Sequence, residues 1–157
     1  HNQYKDQTRL GVDRWLAMLA AYQLAGGACI IIDSGTAMTI DVVDEQGLHL
    51  GGYITPGLQL MRLSLEQNTR IRLAPQIDPN SLELGNSTES AVRNGTLAAQ
   101  VSLINRVIED IRPKSDKVRI FIAGGDAETL AAHSIADEFE IAPSLVLDGL
   151  AIACPFI

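Results

Sequence analysis

The spacing of apolar positions changes several times along the chain, and each change predicts an element. From Asp13 the residues Trp15, Leu16, Leu19, Ala20 and Leu24 recur at helical spacing until Gly26-Gly27, which predicts a helix with Asp13 at or beside its N-cap. Ala28-Cys29-Ile30-Ile31-Ile32 is then continuously apolar and residues 38–43 alternate, so two strands meet at a tight turn over Ser34-Gly35. Asp44-Glu45-Gln46-Gly47 makes a second turn and residues 48–54 a third strand, which completes an antiparallel meander. Gly51-Gly52 inside that strand marks a bulge or a close backbone approach.

Thr55-Pro56-Gly57 predicts a helix start, with Thr55 as cap, Pro56 at the first position, and Leu58, Met61 and Leu65 on the buried side. Residues 68–85 carry two prolines and little periodicity, so they read as a long surface loop. The longest helix begins at Asn86 with Glu89 as capping-box partner; Leu97, Val101, Ile104, Ile108 and Ile111 step along it until Pro113. Val118, Ile120 and Ile122 alternate into a strand that stops at Gly124-Gly125-Asp126. A short helix follows over residues 128–136, then a strand at Leu145-Val146-Leu147 and a last turn or helix over 149–153. A three-strand antiparallel meander followed by helix, strand, helix and strand is an α/β fold of ribonuclease H-like order: a mixed sheet with two further strands and helices on both faces.

A chain of 157 residues with 46% hydrophobic and 20% charged residues has the composition of a folded domain. The formal charge of −7 and the scattering of the 12 basic residues disfavour nucleic acid as a partner. No apolar run approaches the roughly 20 residues of a membrane span, so the reading is cytoplasmic with no membrane association. Cys29 and Cys154 lie apart in apolar contexts, which predicts buried free thiols, and His1, His49 and His133 form no metal-ligand pattern.

Candidate chemistry concentrates at Asp33-Ser34-Gly35-Thr36-Ala37-Met38-Thr39. Glycine admits a ligand close to the backbone, turn N–H groups can converge on phosphate oxygens, and Thr36 and Thr39 add hydroxyls. Asp33, ending the buried strand, is placed to hold a cation beside such a phosphate. The same residues would also serve an Asx-type turn that satisfies only its own backbone.

Five stretches together carry a wider resemblance: Gly11-Val12-Asp13-Arg14, the Asp33 to Thr39 heptad, Gly51-Gly52-Tyr53-Ile54-Thr55-Pro56-Gly57, Gly85-Asn86-Ser87-Thr88 and Gly124-Gly125-Asp126. In this order the chain resembles the type III pantothenate kinases, relatives of the Bvg accessory factor proteins within the acetate and sugar kinase, Hsc70 and actin superfamily. The resemblance implies ATP-dependent phosphorylation of pantothenate to 4′-phosphopantothenate, the first step of coenzyme A synthesis, with Mg2+ accompanying ATP. Asp13 is implied as the general base for the pantothenate hydroxyl. Tyr4, Gly11, Val12, Arg14 and Thr88 are implied at the substrate, Gly35, Thr36, Gly124 and Gly125 at ATP, and Asp33 at a monovalent cation, potassium or ammonium. A homodimer paired across the long helix is also implied, and the apolar Val92, Leu103 and Val107 outside that helix's main stripe agree with it.

Each residue also has an ordinary explanation. Asp13 would cap its helix, Arg14 would be solvated, Thr88 would sit in a helical first turn, and paired glycines commonly end strands. Asp41, on one face of the second strand, reads as a solvated strand residue. The aspartate-glycine-asparagine-threonine phosphate motif with which the family begins is absent from this sequence. The expectation is therefore an entry segment and helix over 1–27 and a C-terminal domain over 28–157, together the inactive portion of a longer kinase. A regulatory relative of the same fold, or a kinase of another small hydroxyl substrate, stands as the alternative.

Overall fold

The computed structural model describes residues 10–74, 79–115 and 117–155. Helix α1 (Val12–Ala25) leads into strands β1 (Cys29–Ser34), β2 (Ala37–Val43) and β3 (His49–Pro56). Helices α2 (Leu58–Asn68) and α3 (Thr88–Ile111), strand β4 (Arg119–Ala123), helix α4 (Ala127–His133), strand β5 (Phe139–Ile141) and helix α5 (Leu145–Ala153) follow. The five strands form one mixed sheet in the order β3-β2-β1-β4-β5, antiparallel through the meander and parallel from β1 to β4 to β5. This is the expected ribonuclease H-like arrangement.

Strand parity divides the interior into two cores. Ile30, Ile32, Met38, Ile40, Ile120 and Ile122 point toward α2, α3 and α4 and pack with Leu58, Leu97, Ile104 and Leu130. Cys29, Ile31, Val43 and Phe121 point the other way and pack with α1 and α5 through Ala17, Ala20, Ala21 and Leu145. β1 is central and covered on both faces, which explains its unbroken apolar run. Each fully buried aliphatic side chain contributes about 1.5–3 kcal/mol, so the two cores stabilise the sheet from opposite sides.

Several boundaries differ from the sequence reading, each for a local reason. Leu145-Val146-Leu147 opens α5 and is not a strand; the Ser144 hydroxyl donates to Asp148 Oδ2 at 2.8 Å, and Gly149 lets α5 press against the Leu16 carbonyl. The fifth strand is instead Phe139–Ile141, which pairs with β4. Thr55 and Pro56 stay in β3, where proline is tolerated because β3 is an edge strand, and Gly57 is the N-cap of α2. Leu58 is buried, whereas Met61 and Leu65 are half-buried. α3 is capped by Ser87, with Ser90 and not Glu89 closing the capping box.

The hairpin turn falls at Gly35-Thr36, one residue later than expected, since Ser34 still pairs with Met38. On α1 the inward face is Leu16, Ala17, Ala20 and Ala21, while Trp15 and Leu24 are exposed. Cys29 is buried as expected, and burial pushes its thiol pKa up to about 12 despite the nearby Arg119 charge; Cys154 is exposed. Val92 and Val107 are buried within the chain. The apolar character of α3 is therefore mostly consumed by its own sheet and does not by itself require a partner.

Candidate active site

The first turn of α1 and the β1–β2 hairpin meet on one face of the sheet. Ile31 pairs with Asp41 and Asp33 with Thr39, so the odd-numbered side chains of both strands share the face that carries α1. Asp13, Arg14, Asp33, Thr36, Thr39 and Asp41 consequently line one cavity of about 210 Å³.

Two carboxylates open onto this cavity. Asp13 lies in the first turn of α1, where the helix end favours negative charge, and its Oδ1 accepts the Arg14 N–H at 2.8 Å. Asp33 is raised above the usual carboxylate range, first by desolvation and then by the Asp13 charge. The pair makes a setting that a cation would relieve. Among the described residues no group of three or more His, Cys, Asp or Glu side chains converges as a metal site. A hard cation held by a carboxylate and ligand oxygens needs no such group, and the oxygen-bearing side chains on this cavity beside Asp33 are Asp13, Thr36, Thr39 and Asp41.

Behind these carboxylates lies a buried ion cluster that the sequence reading missed. Asp41 is only 2% exposed, not solvated as expected: it accepts from Arg14 Nε at 2.8 Å and Nη2 at 2.5 Å, and lies 2.7 Å from His49 Nε2. Desolvation alone would raise the Asp41 pKa, but hydrogen bonds from His49 and Arg14 and the Arg14 charge outweigh it and hold the carboxyl below its usual 3.8. Asp41 thus stabilises the fold above that value, and the contribution is lost as pH falls through the lowered native pKa. Asp41→Asn is expected to cost about 3 kcal/mol at neutral pH, because it leaves a buried cation unbalanced. It should also flatten the loss of stability below pH 3.8. Urea unfolding at neutral pH and near pH ~3 checks both expectations.

The hairpin tip is gripped from two sides. The Gly57 N–H donates to the Thr36 carbonyl at 2.8 Å from the start of α2. On the other side Gly124 has φ 95°, and a Cβ there would lie 2.1 Å from the Ser34 carbonyl oxygen, so only glycine permits the turn before α4 to sit against the tip. Ser34 is fully buried, and its hydroxyl donates to Asp126 Oδ2 at 3.4 Å. The Gly35 N–H is given to the Ala37 carbonyl at 3.0 Å, which leaves the exposed Thr36 as the tip's donor side chain on the cavity.

The type III pantothenate kinase family profile matches residues 1–110. The chain belongs to that family. Type III pantothenate kinases from Azotobacter vinelandii and Pseudomonas fluorescens (strain Pf0-1) are 39% and 43% identical to it, each over 98% of this chain and 63% of the relative. The chain therefore spans just under two thirds of the length of these curated relatives. A Baf family protein from Campylobacter jejuni, described as a transcriptional activator, is similar in its crystal structure. It is 25% identical with a TM-score of 0.66, over 93% of this chain and 64% of that one.

Against the pantothenate kinase resemblance, the structure brings Asp13, Arg14, Asp33, Gly35 and Thr36 to one cavity. Gly11 is the N-cap of α1 and Val12 its exposed first residue. Gly124 abuts the hairpin tip through Ser34, whereas a Cβ at Gly125 would meet nothing within 4 Å. Thr88 does not join them: it lines a separate, mostly apolar groove of about 490 Å³ between α2 and α3, beside Met61, Leu65 and Gly95. Tyr4 lies outside the described residues. The signal for Asp41 was present in its parity, since it shares a strand face with Thr39 and Asp33, and Arg14 was available on the helix above.

Proposed function

We propose that the protein carrying this chain is an ATP-dependent pantothenate kinase that forms 4′-phosphopantothenate in the cytoplasm. The observation that carries the reading is the cavity on which Asp13, Asp33 and the Thr36 hairpin converge, in a chain of this family. Phosphoryl transfer depends chiefly on positioning and on charge stabilisation, and the cavity offers both. Asp13 accepts the proton of the attacking hydroxyl, Arg14 borders the substrate with its guanidinium held by Asp41, and Thr36 donates to a phosphate oxygen. Gly124, against the hairpin, and Gly125 beside it are exposed and leave backbone open where a nucleoside can approach. Magnesium on the triphosphate and potassium or ammonium at Asp33 would supply the positive charge that the two carboxylates lack.

A homodimer follows from the same reading. If Asp13 and Thr88 both contact pantothenate, their separation into different grooves of one chain is resolved when a second copy contributes Thr88. The Campylobacter jejuni likeness favours, as a second reading, a regulatory protein of the same fold, but a purely regulatory scaffold gives no reason for two carboxylates facing one cavity. A coupled ADP-release assay on the full-length gene product, with ATP, magnesium and potassium, separates the two. Pantothenate-dependent ADP release and a product heavier by one phosphoryl group are expected; ATP turnover indifferent to pantothenate overturns the reading.

A further inference from the structure

We propose that Asp41, backed by His49, is a positioning residue that fixes the first turn of α1 and thereby aims Asp13 into the cavity. This rests on the kinase reading for its consequence in turnover, but not for its structural content. The N-cap of α1 is Gly11, which supplies no side-chain cap hydrogen bond, so the turn carrying Asp13 lacks the usual local anchor. Its anchor is the next residue. Arg14 reaches from α1 to β2 and gives two hydrogen bonds to one carboxylate, a geometry that fixes orientation as well as distance.

Asp41 is in turn held by His49 at the start of β3, whose Nε2 meets the same Oδ1 as Arg14 Nη2. Its place is secured by Gly52, its partner across β2 and β3: a Cβ at Gly52 would lie 2.6 Å from Asp41 Oδ1 and 2.1 Å from the Ile40 carbonyl. The three side chains are 2–9% exposed, so water competes little for these bonds. A chain of contacts thus runs from the sheet edge through Asp41 to the residue adjoining Asp13. Asp41 also borders the cavity, yet its carboxylate oxygens are occupied by Arg14 and His49, which argues for positioning and against direct catalysis.

The test is a double-mutant cycle in the full-length gene product, combined with hydrogen exchange. Asp41→Asn is expected to lower kcat about tenfold, with KM for ATP within about twofold, since a small misplacement of a catalytic group is costly while the hairpin tip is untouched. In the Asp13→Asn background the same substitution should cost less than about twofold, because nothing remains to be aimed. Amides 15–18, the first hydrogen-bonded N–H groups of α1, beginning with Trp15 N–H to the Gly11 carbonyl, should exchange at least about tenfold faster in Asp41→Asn while amides 22–25 change little. Should Asp41→Asn fail to fold, His49→Gln is expected to show the same pattern at smaller amplitude. Additive losses in the cycle, or exchange that rises uniformly along α1, overturn the proposal. A wild-type protein inactive on pantothenate would defeat the kinase reading alone, because the exchange pattern still decides whether Asp41 anchors the turn.

Discussion

Asp13→Asn in the full-length gene product is expected to lower kcat for pantothenate phosphorylation by about 10²–10⁴, the usual loss when a positioned general base is removed. ATP affinity should change little, because Asp13 approaches the cavity from α1, whereas the hairpin tip and the Gly124-Gly125 turn lie on the strand side. The substitution keeps the shape of the side chain and the acceptor oxygen that receives the Arg14 N–H, so the fold should persist. Asp13 is exposed, and no buried charge is orphaned by its neutralisation. Steady-state kinetics with varied pantothenate, beside ATP binding by calorimetry, provide the check. Turnover within twofold of wild type would remove Asp13 from the chemistry and leave it as a first-turn helix residue.

The Asp13 and Asp41 cases show what the sequence could and could not convey. The place of Asp13 at a helix start was readable from local pattern, whereas its suggested role came only from the family resemblance. The meander was readable for the same kind of reason: the alternation of residues 38–43 and the turn at Asp44 to Gly47 are short-range signals, and the observed pairing follows them. Asp41 was misread because its environment is made by residues 27 positions before it and 8 after it. A single polar residue between Ile40 and Val42 reads as solvated until the helix over that face is known to present Arg14. The helical state of Leu145-Val146-Leu147 was hidden similarly, since three residues fit either period and the deciding contact is Gly149 against Leu16. Tertiary context overrode propensity in both places.

The second large effect concerns Asp33. A carboxylate at the mouth of a phosphate-binding hairpin repels a polyphosphate unless a cation lies between them, and Asp33 stands beside the Thr36 tip on this cavity. Two unit charges at ~6 Å interact by about 3 kcal/mol at an effective dielectric of ~20. Solvent at the open side of the cavity cuts that to on the order of 1–2 kcal/mol, which is roughly a tenfold change in an equilibrium constant. Replacing sodium by potassium or ammonium at constant ionic strength is therefore expected to lower KM for ATP in the full-length gene product by about tenfold, provided sodium fits the oxygen set less well. Asp33→Ala should abolish the difference between cations, because the group that binds the ion and the group that creates the repulsion are the same. It should also lower kcat, since the ion's charge is then missing from the phosphoryl group in transfer. Asp13→Asn, by contrast, should keep the cation response while losing turnover, so the two carboxylates separate into distinct roles in one set of measurements. Equal KM values in sodium and potassium, or an Asp33→Ala protein that still responds to potassium, would place the cation elsewhere and leave Asp33 as a residue of the hairpin alone.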